Sequence, residues 1–392
     1  MTPSVHHGPV PFWRDDRVLK AAAQAISAVA VIGLVWLFVS NVLNAARQRG
    51  LDLGFGFIDD AAGFAIGESP VPFDPSESFG RALTVGLLNT LQVALVGIVL
   101  ATILGTAIAL ARLSSNWLVS RIAGVYIDII RNVPLLVQLF FWYFGIFQQL
   151  PPVRQSLTLP GPVHLSQRGL YMPWPQATEA TGPWLATLLA GIALAIVAYR
   201  VLLRQQIVTG RTTHPALIAL ALLIGLPLIG WFAVGGRPFA VSIPVLQRFN
   251  FEGGLRLSTE FAALLTGLVV YTAAFTAEVV RAGIQSVSRG QVEAARAVGL
   301  TQAQLLRLVV FPQALRVIIP PLISQYLNLT KNSSLAVAIG YPDLFFVGRT
   351  IINQAGRAVP VFALVMGVYL ALSLITSAIM NIYNRRVRFV ER

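Results

Sequence analysis

Six charged residues stand in stretches that are otherwise apolar: Asp128, Arg131, Glu278, Arg281, Arg316 and Lys331. A charge among apolar neighbours is costly, so each needs a pairing partner, a ligand or a polar path. Asp128 with Arg131, and Glu278 with Arg281, have i, i+3 spacing, which places both members on one helix face; these four are expected to form structural pairs. Arg316 lies between two apolar runs near Pro320-Pro321, where a kinked helix would free backbone carbonyls for its guanidinium. It can be structural or can line a cavity. Residues 328–334 (NLTKNSS) form the most polar segment at the edge of an apolar run. Lys331 would attract a carboxylate there, and Asn328, Asn332, Ser333 and Ser334 offer neutral hydrogen bonds. The chemistry available is reversible capture of a small molecule with charged ends, at a broken helix end with exposed backbone groups. The other reading of this segment is a capping cluster that ends the helix. Asn132 and Gln138 are further polar candidates.

Hydrolytic and metal chemistry are poorly supplied. A P-loop needs Gly-Lys-Ser/Thr, so that the lysine can reach the phosphates held by backbone N–H groups. The two lysines follow Leu19 and Thr330, and no Gly-Lys pair exists. Any ATP hydrolysis must therefore belong to a partner, and the chain is not expected to be an enzyme. His6, His7, His164 and His214 show no His-x-x-x-His spacing and there is no cysteine, so no metal site and no cofactor of its own are expected.

The elements that must position these residues are apolar helices. Of 392 residues, 56% are hydrophobic and only 11% charged, whereas soluble domains carry roughly a quarter charged residues. That composition excludes intrinsic disorder. It also leaves little water-facing surface for the net charge of +13 to serve nucleic-acid binding. Lipid satisfies no backbone polar groups, so long uncharged runs must be helices, and each is near the roughly 20 residues that cross a bilayer. Eight spans are expected, at about 21–43, 84–111, 124–148, 184–203, 214–234, 258–281, 308–330 and 360–383. The first is read as a retained span rather than a signal peptide, because Arg47 follows it in place of a small-residue cleavage site. With the N-terminus inside, 16 basic residues face the cytoplasm and 10 face outward, and the loop 47–81 carries six acids. The positive-inside rule then puts both termini in the cytoplasm. The aromatic run Phe140-Phe141-Trp142-Tyr143-Phe144 reads as an interfacial belt in preference to a gate.

Residues 286–321 (SVSRGQVEAARAVGLTQAQLLRLVVFPQALRVIIPP) form the most informative stretch. Ser288 could N-cap a short helix over 291–298, and Gly299 then stands at the C′ position, where positive φ is required. Thr301 and Gln304 make a capping-box pattern that opens the next helix. Glu293, Ala294 and Ala295 lie on the short helix, flanked by Arg289 and Arg296, and the small alanines permit close approach of another surface.

This stretch resembles the EAA loop of ABC importer permeases: Glu293-Ala294-Ala295, Gly299, and Phe311-Pro312 where the family usually has Leu-Pro. Residues 276–300 and 126–145 resemble the polar-amino-acid branch, with Arg131-Asn132-Val133-Pro134 where that branch has an Arg-Gly-Thr-Pro-like element; Lys331-Asn332-Ser333-Ser334-Leu335 stands where it has Lys-Asp-Thr/Ser-Ser-Leu. The eight-span length is similar to Q-type subunits of general L-amino-acid or glutamate/glutamine/aspartate/asparagine importers. The resemblance implies an all-α integral membrane fold of type I importer class. It has a five-helix core over 84–148 and 258–383, an N-terminal helix and an inserted helix pair. The divisions are 1–83, 84–150, 151–257 and 258–392. It further implies that the short helix is a coupling helix seated on an ATPase subunit, with Glu293 facing a basic residue there. The implied partners are a second homologous permease, two ATP-binding subunits holding ATP and Mg²⁺, and a periplasmic amino-acid-binding protein, in a bacterial inner membrane. Many relatives have Asp where this chain has Asn332, so neutral or acidic amino acids are expected as cargo. The competing reading is a secondary transporter driven by an ion gradient, which commonly shows inverted repeats; no such repeat is evident.

Overall fold

The computed structural model describes residues 16–48 and 53–387. Arg14, Arg49, Asp52, Arg388 and Arg392, which entered the charge count, lie outside them. Seven helices among the described residues are long and apolar enough to cross a membrane, or eight if one bent pair forms a single span. This is a multi-pass membrane protein.

Helix α1 (Asp16–Gln48) makes one span, and its apolar window has no share buried within the chain. The body is built on α2 (Phe79–Arg112), with α3 (Trp117–Asn132) and α4 (Leu135–Phe140) following. In α2 the residues turned inward include Gly86, Thr90, Ala94, Gly97, Ala101, Gly105 and Ala109, a stripe of small side chains three or four apart. Without a hydrophobic force between helices in lipid, such stripes let backbones approach and gain packing contacts. The partner is α7 (Thr259–Gln285), whose inward face carries Gly267, Ala273, Ala274 and Ala277. A Cβ on Gly105 would stand 2.6 Å from Thr276, so the crossing tolerates only glycine there.

The third span departs from the expected single helix over 124–148. It starts at Trp117, ends its first half at Asn132 and resumes at Leu135 after a bend of 105°. Pro134 is the cause: its ring excludes the helical region for the residue before it, and Val133 is extended at φ −99° and ψ 129°. Beyond α4 the helix widens into a π turn over Phe141–Ile146.

Helices α5 (Thr181–Thr209) and α6 (Pro215–Ala233) form the inserted hairpin. They pack closely on each other: the Trp184 indole donates to Pro227 O at 3.0 Å, and Gly230 lies against Thr187. Most of the remaining surface, including Ile192, Ile196, Ile224 and Phe232, is exposed apolar side chain suited to lipid.

The remaining helices are α8 (Arg289–Ala297), α9 (Gln302–Leu305), α10 (Phe311–Asn332), α11 (Leu344–Ala355) and α12 (Ala358–Val387). A π turn joins α9 to α10, and Pro320 and Pro321 lie within α10. The sequence reading missed α11 and also a small set of β-strands. The strands β1 (Leu157–Leu159), β2 (Val163–Ser166), β3 (Gly169–Met172) and β8 (Leu255–Leu257) form one antiparallel sheet. Strand β4 (Trp174–Ala177) pairs with β5 (Phe239–Ser242), and β6 (Val245–Leu246) with β7 (Phe251–Glu252). The body remains helical; the strands cap one end of it. Because β3–β8 and β4–β5 join chain from before and after the α5–α6 hairpin, both flanks of the hairpin emerge at the same end.

Candidate functional site

At one end of the bundle, the loop after α7 is held by bonds between near neighbours in sequence. Helix α8 starts two residues earlier than expected, at Arg289, and although Ser288 occupies the N-cap position its side chain makes no capping bond. The C-terminus closes as a Schellman motif: Gly299 N–H donates to Arg296 O at 2.9 Å, and Leu300 N–H to Ala295 O at 3.2 Å. Gly299 adopts φ +81°. Thr301 then receives Gln304 N–H while Gln304 Oε1 accepts from Thr301 N–H at 2.9 Å, a complete capping box.

Of the Glu-Ala-Ala triplet, Ala295 is buried against Leu305 and Val310 and fixes α8 to the body. Glu293, Ala294, Arg289 and Arg296 are exposed, as is Val298 at 77%. Arg289 and Arg296 are placed at i−4 and i+3 from Glu293, yet no ion pair among the described residues joins them to it. The loop therefore presents a carboxylate, two guanidinium groups and small side chains outward on a short, C-capped helix.

Along α10, Arg316, Ser324, Asn328 and Lys331 are exposed on one face, with Pro320 between them. The 328–334 segment does not act as one cluster. Ser333 is buried and its hydroxyl donates to Thr330 O at 2.8 Å, while Ser334 donates to Lys331 O at 2.8 Å. Asn332 is half-buried where α10 passes into a 3₁₀ turn. Thus the structure gathers Arg316, Asn328 and Lys331 on an open face, and turns Ser333 and Ser334 to their own backbone. Gln138 is buried elsewhere; its amide donates to Ile130 O at 2.9 Å and Val133 O at 3.0 Å, capping carbonyls freed at the break before α4. Asn132 donates to Asp128 O at 2.6 Å, across the last turn of α3.

The two expected pairs differ. Arg281 holds Glu278 with two bonds, at 2.7 and 3.2 Å, and reaches Gln285 at 2.8 Å. Arg131 instead lies over the ring of Phe275, 5.1 Å from its centroid, and no ion pair with Asp128 occurs among the described residues. In the aromatic run Phe141 and Phe144 are exposed, while Trp142 and Tyr143 pack on the core and Tyr143 donates to Glu260 at 3.0 Å.

The opposite end holds a polar cluster that the sequence reading missed. The Ser258 hydroxyl donates to the Glu68 carboxylate, and Asn89 donates to Glu68 O at 2.8 Å and to Pro342 O at 2.9 Å. Asp343 caps α11 by accepting from Phe346 N–H at 2.8 Å and takes the Tyr369 hydroxyl at 3.1 Å. Burial pushes the Asp343 carboxyl up to about 6, against the opposing pull of those donors. Burial also pushes Glu68 up to about 7, with Ser258 and Arg256 acting the other way. Asp343 ahead of an apolar run was legible as an N-cap; Glu68 carried no signal.

A family model of binding-protein-dependent transport system inner membrane components matches residues 97–389. The chain is 48% identical over 372 residues to the putative amino-acid ABC transporter permease protein YhdX of Escherichia coli (strain K12), covering 94% of each chain. It is 46% identical to the general L-amino acid transport system permease protein AapQ of Rhizobium johnstonii, over 96% of this chain and 94% of that one. Identity is 39% to the glutamate/glutamine/aspartate/asparagine transport system permease protein BztB of Rhodobacter capsulatus, covering 96% of each.

Proposed function

The chain belongs to the family of binding-protein-dependent transport system inner membrane components, and from that premise we propose that it is a permease subunit of an ATP-driven importer of L-amino acids. The observation that carries the coupling part of this reading is α8: Ala295 anchors it, and Glu293 is exposed with no ion-pair partner among the described residues. A helix packed through Val292 and Ala295 and open on its charged face suits transmission of a push from another protein.

In this reading two cytoplasmic ATP-binding subunits, holding ATP and Mg²⁺, seat α8 of this chain and of a second, homologous permease. An outer binding protein delivers the amino acid. Closure of the ATPases turns the permease pair from inward-facing to outward-facing, and the bound amino acid passes between the subunits. The chain sits in the bacterial inner membrane with the α8 end and both termini cytoplasmic and the β-strand end periplasmic. Arg316, Asn328 and Lys331 on the open face of α10 would contact the passing amino acid, and Lys331 would hold its carboxylate. The Asn332 position favours neutral or acidic cargo.

Replacing Glu293 with Lys tests this reading. The expected outcome is normal membrane insertion with loss of ATPase association or of ATP-driven uptake in proteoliposomes. Wild-type uptake by this variant would remove α8 from the coupling role, and ATP-independent uptake by this chain alone would overturn the importer assignment.

A further inference from the structure

The strand-capped end contains a cavity of about 480 Å³ between the 64–68 segment, the junction of β8 with α7, and residues 340–350. It is separate from the open face of α10: none of Arg316, Asn328 or Lys331 lines it. Phe64, Ile66 and Phe346 contribute apolar surface. Arg256 and Glu260 contribute charges of opposite sign, and Glu68 a second carboxyl group. Two smaller recesses, of about 350 and 180 Å³, also have Arg256 in their walls. The Arg256 Nε donates to Arg168 O at 3.3 Å, which orients the guanidinium. Glu260 accepts from the Tyr143 hydroxyl at 3.0 Å through Oε1. Both Arg256 and Glu260 act electrostatically on Glu68, so each lies within interaction range of its carboxyl group.

We propose that this cavity is an amino-acid subsite at the outer mouth. Arg256 takes the ligand's carboxylate, Glu260 with Glu68 takes its ammonium group, and Phe64, Ile66 and Phe346 receive its side chain. The charge pattern selects the class of ligand. A simple anion would meet the Glu260 and Glu68 carboxyl groups, a diamine would meet the guanidinium, and a neutral sugar would bring no counter-charge to Arg256 or Glu260. A zwitterion with an adjoining apolar group matches every wall, and the volume falls within the roughly 300–1,000 Å³ usual for small-ligand sites. The inference rests on the reading of the chain as an amino-acid importer subunit, and adds a station ahead of the membrane-embedded path.

The test uses the assembled importer in nanodiscs without its binding protein, titrated calorimetrically with L-leucine. Isoamylamine, which lacks the carboxylate, and isocaproate, which lacks the amine, serve as comparison probes. L-Leucine is expected to bind saturably and the two analogues to bind at least about tenfold more weakly. Arg256→Gln and Glu260→Gln should each weaken L-leucine binding by about tenfold or more, and Arg256→Lys should restore part of the loss. Thr350→Leu, which fills the cavity without changing charge, should weaken it as well. Thermal unfolding of each variant separates loss of the site from loss of the fold. No L-leucine binding, analogues equal to L-leucine, or wild-type affinity in the properly folded Gln and Leu variants would each overturn the subsite. ATP-driven uptake of labelled amino acids by the wild-type importer with its binding protein is measured in parallel. Absence of uptake would overturn the importer reading, while absence of the predicted binding with uptake intact would overturn only this subsite.

Discussion

The two ends of the bundle are held together in different ways. At the α8 end, the defining bonds span three to five residues: Gly299 to Arg296, Leu300 to Ala295, and Thr301 with Gln304. At the strand-capped end, Ser258 reaches Glu68 across 190 positions and Asn89 reaches Pro342 across 253. The first end is a set of helix caps that would form wherever that sequence was made helical. The second exists only after α2, α7 and α11 have packed. A locally built loop can move as a unit without disturbing the bundle, which suits a joint. A long-range cluster ties separate spans together, so loosening it must loosen the whole.

That contrast can be broken by experiment. The largest effect is expected from pH at Glu68. An unfolded glutamate releases its proton near 4.5, whereas Glu68 in the folded chain does so near 7. Between those values the unfolded state holds fewer protons, so stability must fall as pH rises through that window and level off above it. A shift of that size corresponds to at most roughly 3 kcal/mol. Asp343, raised from 3.8 to about 6, adds the same sign of slope over a lower range. Thermal midpoints in nanodiscs between pH 4.5 and 7.5 should therefore decline, and Glu68→Gln should flatten the upper part. An unchanged slope in that variant would detach Glu68 from the stability of this end.

Asp343→Ala comes next. It removes the α11 cap and leaves the Tyr369 hydroxyl without its acceptor, for an expected loss of about 2 kcal/mol. Because the cluster links distant spans, the loss should appear in the global unfolding midpoint. Gly299→Ala at the other end should cost about 1 kcal/mol, because φ of +81° is strained for any residue with a Cβ. No atom would touch the added methyl, so the effect is one of backbone conformation. It should appear as faster hydrogen exchange over 289–305 and reduced coupling, with the global midpoint little changed. Thr301→Ala, which dismantles the capping box, should do the same by roughly half a kcal/mol. If either loop variant lowered the global midpoint as far as Asp343→Ala does, the two ends would not differ in the way described.

Legibility followed the same division. Gly299 at C′ and the Thr301–Gln304 box were both recognisable, because caps are sequence-local. The apolar runs were recognisable because backbone groups in lipid have no alternative to the helix. The break at Pro134 was written in the sequence, yet residues 124–148 read as one span because the hydropathy on both sides is continuous. The strands were hidden because each is two to four residues long, too short for alternation to stand out. Arg131 shows the limit of spacing arguments: i, i+3 made Asp128 an available partner, but the fold offered the Phe275 ring. For Ser333 and Ser334, polarity suggested a ligand, whereas the helix end supplied backbone carbonyls for both hydroxyls.

The sequence by itself determined that this chain crosses a membrane as helices, and where the loop after α7 turns, because hydropathy and capping act within a few residues. Only the tertiary structure decided which polar side chains face an opening and which are consumed as staples. Lys331 and Gln138, the leading and a secondary candidate, part company: one is exposed on α10 and the other is spent on two carbonyls beside α4. The same holds for Glu68, Arg256 and Glu260, which meet around one cavity because α2 and α7 pack through their small residues. No local property of the chain encodes that meeting.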